Sequence, residues 1–483
     1  MSRISMSLPR PQYVAVPEAF ISALAWKILH VDRLENSTDN SSEIPMVKDI
    51  AGKPIGLLFR TNGGTSRLIK MKQTLPTGIR LVEFVDALEK AGLQIEGGSD
   101  LLGEAVLNSL DGVRIEKSGG QPASPLTPSI ALLQNMRGAL GTKGPPDTAM
   151  IIESLFALGA STSPELLTAS RLWLRAAKHR MEIDPLLNAL DSAVDRTILG
   201  SQRVEPPPLP AGLPSAESVP EGDYSGTPFD WFASAWLRLT SDEWVEALPA
   251  RVWVDWATTV LRLATGLGFL WECSWNEAFA RAVLKSETVS WGDVRSEVRT
   301  VLPWGSSRAG TVALDVAPQL VARVYRSERL RSLIADRLDA CSAAASDFGA
   351  VMDEMRDDEG FARSLTEALS SNERVGSGKN VWEAITYALK TRETSESRAD
   401  YYGLLQSNGR YLKVDPGTEW IAVVASLSCV TPGASSDVGR VMADLEKMGM
   451  RPNLSDLVAL LERAGMARGS ADADQGVRVE SAY

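Results

Sequence analysis

Nine of the chain's thirteen tryptophans fall between Trp231 and Trp304. Within that stretch Trp231 and Trp236, Trp253 and Trp256, and Trp271 and Trp275 stand five, three and four residues apart. These spacings are roughly helical, and those of three and four return side chains to one side of a helix. Residues this large and this concentrated need an interior to fill, so the middle of the chain is expected to be a Trp-rich helical domain. A second reading makes the same six indoles a partner-binding surface, because tryptophan is favoured as an interface anchor. A third makes them an aromatic cage for a cation or a base. The most apolar run, "WVDWATTVLRLATGLGFLW" at 253–271, contains Asp255 and Arg262, and so reads as a buried helix rather than a membrane span.

A chain of 483 residues is too long for one compact core, and roughly 150 residues per domain predicts about three. Three breaks punctuate it: "KSGGQPASPLTP" at 117–128, "GTKGPPD" at 141–147 and "PPPLPAGLPSAESVPEGDYSGTP" at 206–228. The seven prolines of the last predict an extended, solvated spacer. The divisions that follow are a mixed α/β module with a basic hairpin over 1–117, a helical domain over 128–205, a Pro-rich linker over 206–228, a Trp-rich helical domain over 229–400 and a winged-helix-like module over 401–483. The expected fold class is mainly α and multi-domain, with small α+β winged-helix-like modules at the N- and C-terminal ends.

The end modules are read from a repeated phrase: "ALEKAGL" at 87–93, "DLEKMGM" at 444–450 and "LLERAGM" at 460–466. Leu and Glu favour helix, and a cation in the last turn suits the negative end of the helix dipole. Gly92, Gly449 and Gly465 are then free to take the left-handed conformation that closes a helix. The first copy leads to "GVRIE" at 112–116 and the third to "GVRVE" at 476–480. Near the C-terminus the order is a helix over 436–448, the turn "GMRP", a helix over 453–464, a loop and a strand. Asn453 is the expected N-cap, with Leu454, Leu457, Val458 and Leu461 as a buried stripe. This order resembles a winged helix. In organisation the paired end modules resemble the kleisin-type subunits of prokaryotic chromosome-organising complexes, which implies a scaffold role. The Trp-rich middle departs from that pattern, and no motif carries the likeness.

Charge sorts the partners. A net charge of −11 argues against a surface that coats nucleic acid or an anionic membrane. Residues 440–480 hold six Lys/Arg and seven Asp/Glu, a poor match for phosphate, so the C-terminal module is expected to contact protein. The run "PIGLLFRTNGGTSRLIKM" predicts a hairpin about Asn62-Gly63-Gly64. Residues 51–80 carry Lys53, Arg60, Arg67, Lys70, Lys72 and Arg80 and no acidic residue, which makes them the candidate contact for nucleic acid. A sheet edge protected by cations is the other reading of those six.

Several chemistries find no support. Cys273, Cys341 and Cys429 are far apart, and His30 and His179 are the only histidines, so neither a disulfide framework nor a zinc site is expected. "VGSGKN" at 375–380 has Glu373 where a phosphate loop needs glycine, and Asn380 where it needs Ser or Thr; it reads as a loop between helices. "MDEMRDDEG" at 352–360 lacks calcium-loop spacing and reads as a solvated acidic turn. The expectation is a cytoplasmic protein that is not an enzyme, with no catalytic residues, cofactor, metal or membrane contact.

The role that fits is a non-catalytic scaffold or adaptor subunit of a multi-protein bacterial assembly, meeting other subunits through winged-helix-like and Trp-rich surfaces. The alternative is a DNA-engaging accessory protein, for example of an anti-phage defence system, acting through residues 51–80.

Overall fold

One long helix, Ala250–Val283, organises the chain. No proline interrupts residues 250–302, and Pro249 occupies the position just before the helix begins. At 1.5 Å per residue its 34 residues span about 50 Å. It is buried on nearly every face, so its stability comes from packing as much as from helix propensity. In this computed structural model the described residues are 7–11, 20–36, 47–48, 54–60, 66–69, 85–86, 88–90, 101, 124–133, 148–160, 167–195, 209, 223–285, 287, 289–298, 300–305, 315–341, 347–371, 373–374, 376–391, 402–409, 411–468 and 476–483.

Helices Thr148–Ala160, Pro228–Leu239, Ala317–Ala340 and Gly376–Leu389 pack around the central helix. Two glycines inside it set how closely they approach. A Cβ on Gly266 would overlap the Leu389 side chain, and one on Gly268 would meet Leu155 Cδ2 at 2.5 Å. Arg262, buried in the same helix, donates from Nε to the Ala388 carbonyl (2.8 Å) and from Nη2 to the Lys390 carbonyl (3.0 Å). It thereby satisfies carbonyls at the end of Gly376–Leu389 that have no partner within their own helix. The buried apolar residues form one contiguous cluster running from Leu8 to Val479, shared by the segments that the sequence breaks delimit. The described residues are mainly helical, with a few short strands.

Local chemistry explains several boundaries. Asp184 ends Ala169–Ile183 and opens Pro185–Val194, where its carboxylate accepts the Leu186 and Leu187 N–H groups and Pro185 takes the first turn. Ser290 and Asp293 form a reciprocal capping box on Trp291–Glu297. The acidic run at 352–360 joins two helix ends across a turn at 357–358, with Asp353, Asp357 and Glu359 exposed. Helix Phe348–Arg356 closes there, and Asp358 caps Glu359–Ser370 by accepting the Phe361 N–H at 2.9 Å. "GSGKN" is not a loop; it forms the first turn of Gly376–Leu389. Gly378 is needed because a Cβ there would meet the Tyr325 ring at 2.5 Å.

Two of the expected linkers include packed residues. Ser124, Leu126 and Thr127 are buried, and Tyr224 in the Pro-rich spacer sits edge-on to Phe229, Trp271 and Trp291.

In the C-terminal region a hairpin, Leu405–Asn408 with Tyr411–Val414, turns beside Gly409 at φ +59°. Then come helix Thr418–Ser428, strand Ser435–Asp437, helices Val438–Lys447 and Leu454–Arg463, and strands Ala467–Arg468 and Arg478–Glu480. Strand 478–480 lies between the other two and is antiparallel to both. Both described copies of the repeated phrase end in the same way. The Met450 N–H reaches the Leu445 carbonyl and the Gly449 N–H the Glu446 carbonyl; Met466 and Gly465 repeat the pair with Leu461 and Glu462. With φ of +75° at Gly449 and +73° at Gly465, these are Schellman caps. Gly92 and "GVRIE" at 112–116 lie outside the described residues. Among the described residues, no helix is long and apolar enough to cross a membrane.

Candidate functional site

Among the described residues, a cluster of buried polar side chains lies where the central helix meets Ala317–Ala340. Phe269, Glu272, Cys273 and Asn276 recur at helical spacing on the first, and Val324, Ser327, Glu328 and Arg331 on the second. The side chains of Glu272 and Glu328 are both 0% exposed. Between them sits residues 7–11, Ser-Leu-Pro-Arg-Pro. Arg10 Nη1 donates to Glu272 Oε2 at 2.7 Å, and its Nη2 lies 2.8 Å from Glu328 Oε1. The Leu8 N–H donates to Glu272 Oε1 at 2.9 Å, and Arg10 Nη1 also bonds the Leu8 carbonyl at 2.8 Å. Leu8 itself is buried. Arg331 Nη1 donates to Ser7 Oγ at 3.3 Å and its Nε lies 3.7 Å from Glu328 Oε1.

Electrostatics make Arg10 the keystone. Burial opposes its charge, yet the two carboxylates outweigh burial and hold its pKa above the usual arginine range. Burial pushes the Glu272 carboxyl upward, against the pull of Arg10. Burial, with Glu272 beside it, also pushes the Cys273 thiol up to about 12, so that sulfur is a neutral packing group rather than a nucleophile. Below this cluster Asn276 Nδ2 donates to Ser327 Oγ at 3.0 Å, and Glu277 pairs with Arg326 at 2.8 Å. The arrangement binds a cationic, extended segment through two carboxylates.

The six tryptophans raised as partner contacts lie in the core: Trp231, Trp236, Trp253, Trp256, Trp271 and Trp275 are each at most 3% exposed. Trp271 and Trp275 stack at 5.5 Å, and Trp275 meets Trp291 at 4.2 Å. Their polar edges are used internally, for Trp236 Nε1 donates to the Ala169 carbonyl and Trp253 Nε1 to that of Leu239. The interior claims them because filling a helical core this wide removes more apolar area from water than any surface arrangement could.

Of the basic set, Arg60 and Arg67 lie in paired strands Pro54–Arg60 and Ser66–Ile69, with Arg60 opposite Ser66 and Phe59 opposite Arg67. That register assigns the two arginine positions to alternate faces of the ribbon. Lys53, Lys70, Lys72 and Arg80 lie outside the described residues. His179 packs on the surface with Nε2 2.9 Å from Glu246. Among the described residues, no group of three or more His, Cys, Asp or Glu is placed to hold a metal ion.

In helix Leu454–Arg463 the buried stripe is Leu457, Leu460 and Leu461, whereas Leu454 is 56% exposed. Leu454 heads the helix, beyond the reach of the core, and the stripe therefore starts one turn later. Asn453 stands at the N-cap but its side chain accepts no backbone N–H; its Nδ2 reaches Asp456 at 3.4 Å instead.

Sequence reasoning missed Arg10, Glu272 and Glu328. The available signal was Glu272 itself, an acid between Trp271 and Cys273 in an otherwise apolar helical run. No protein-family model matches the chain, and no curated protein matches its sequence at a significant level.

Proposed function

We propose that this protein is a non-catalytic scaffold or adaptor subunit of a multi-protein bacterial assembly, with a winged-helix module at its C-terminal end as a contact surface. The observation that carries this reading is the order of elements over 418–483. It runs helix, strand, helix, helix, strand, strand, with the last strand between the other two, the order expected of a winged helix. Helix Leu454–Arg463 occupies the recognition position and exposes Leu454, Ser455, Ala459, Glu462 and Arg463. One apolar head with one acid and one base suits a protein surface better than phosphate.

The test is co-purification from the native host under mild salt, comparing the unaltered chain with Leu454→Asp. The reading expects a stoichiometric protein partner that the variant loses while its thermal midpoint is unchanged. Multiple turnover of any substrate by the isolated chain, or an identical partner set for both proteins, would sink it.

The second reading, DNA engagement through residues 51–80, is favoured by six cations without one acid. It requires affinity that falls steeply with salt and that drops when Arg60, Arg67, Lys70 and Lys72 are neutralised. Unchanged tight binding by that quadruple variant would end it.

A further inference from the structure

We propose that the groove between the central helix and Ala317–Ala340 is a binding site for an extended, arginine-centred peptide segment, which residues 7–11 fill in cis as a displaceable latch. Three features argue for this. First, the two helices meet at a pair of fully buried carboxylates. Apolar side chains would join the helices at least as well, whereas two buried acids without a cation repel each other and lack their hydration. The pair is therefore built around an incoming guanidinium.

Second, the cis segment fits incompletely. Glu328 Oε1 lies 2.8 Å from Arg10 Nη2, whereas Glu328 Oε2 and Arg10 Nε have no hydrogen-bond partner among the described residues. A buried acceptor and a buried donor left unsatisfied cost free energy that a peptide in better register would recover. Tethering then adds to these ion pairs in keeping residues 7–11 in place.

Third, the bound stretch is a short linear motif. Pro9 and Pro11 flank Arg10 and restrict the backbone, so little conformational entropy is lost on binding, and the buried Leu8 adds an apolar anchor. The competing peptide would come from a partner subunit, and in that respect alone the inference rests on the adaptor reading.

The experiment inserts a site-specific protease sequence between Val16 and Pro17 of the full chain, which is purified intact and then cut. The probe is a fluorescent peptide of residues 5–14, with a copy carrying Arg10→Ala. The cut chain should exchange its own segment for the probe and bind it about tenfold or more tighter than the uncut chain, where the tether competes. The Ala copy should bind roughly 100-fold more weakly, as expected for removal of a buried hot-spot arginine. In a cut Glu272→Gln/Glu328→Gln chain the preference for the arginine peptide should vanish. Equal binding of both peptides, no exchange under native conditions, or unfolding on cutting would each overturn the proposal, the last by making the segment a structural strap. Loss of co-purification in Leu454→Asp is read separately, so either idea can fail alone.

Discussion

The carbonyl of Gly449 accepts the backbone N–H of Val301 at 2.8 Å, and a Cβ on Gly449 would overlap the Val301 side chain. Gly465 has the same left-handed backbone, but nothing lies within 4 Å of its Cβ position. The two glycines thus separate conformational strain from crowding. Gly465→Ala should cost about 1–2 kcal/mol, the penalty of a left-handed alanine. Gly449→Ala should cost roughly 1–3 kcal/mol more, because Val301 must also move. Urea titrations of the two variants side by side measure the difference; equal losses would show that the contact with Val301 is slack.

Gly378 and Lys379 make a second contrast. If Gly378 serves packing against Tyr325, Gly378→Ala should destabilise the chain by roughly 1–3 kcal/mol. Lys379 is 70% exposed and lies 3.8 Å from Glu383 one turn on, so Lys379→Ala should change stability by no more than about 0.5 kcal/mol. A nucleotide-dependent rise in thermal midpoint that Lys379→Ala abolishes would contradict both the packing account and the absence of a phosphate loop.

These two cases show what the residue order could reveal. The stops at Gly449 and Gly465 are legible because a Schellman cap is made of neighbours within six residues. The Trp-rich core is legible because helical spacing is local too. Leu454 misleads because periodicity says which face is apolar, not where along the helix the core ends. The Arg10–Glu272 pair joins residues 262 apart, and nothing in either neighbourhood specifies the other. Tyr224 escaped for a related reason: a proline-rich composition describes the backbone, while burial is decided by which pocket one aromatic side chain meets.

Arg10 carries the largest predicted single effect. Arg10→Ala leaves Glu272 and Glu328 buried without their cation and should cost about 3–5 kcal/mol. Adding Glu272→Gln and Glu328→Gln removes both stranded charges and should restore most of that loss, although each single change lies in a different segment. Denaturant midpoints of the unaltered chain, Arg10→Ala, Glu272→Gln/Glu328→Gln and the triple variant form the cycle. A triple variant as unstable as Arg10→Ala would mean that the arginine acts through packing alone.

Val430 has a φ of +73°, which a β-branched residue rarely adopts. It follows the end of Thr418–Ser428, where Trp244 Nε1 holds its carbonyl at 2.8 Å and Arg238 holds that of Leu427 at 2.7 Å. Those two bonds fix the turn, so the strain is borne by the valine. Val430→Gly should stabilise the chain by about 1 kcal/mol, the relief of a left-handed side chain less the added freedom of the unfolded state. A fall in thermal midpoint would show that the valine methyls pack well enough to offset their strain.

Burial raises the Glu272 carboxyl above its unfolded value even with Arg10 beside it. Between those two values the folded chain binds more protons than the unfolded one, so stability falls as pH rises. The contribution of Glu272 is complete below the unfolded carboxylate range and is lost as pH rises through its folded pKa. Arg10 and Glu328 face this carboxyl, Cys273 borders it and Arg331 reaches Glu328, which makes the difference between two proteins more informative than either curve. Stability of the unaltered chain minus that of Glu272→Gln should therefore decline from pH 4 upward and then level. A difference that climbs with pH would mean that Arg10 holds Glu272 ionised against burial, and the keystone would then stabilise the anion outright.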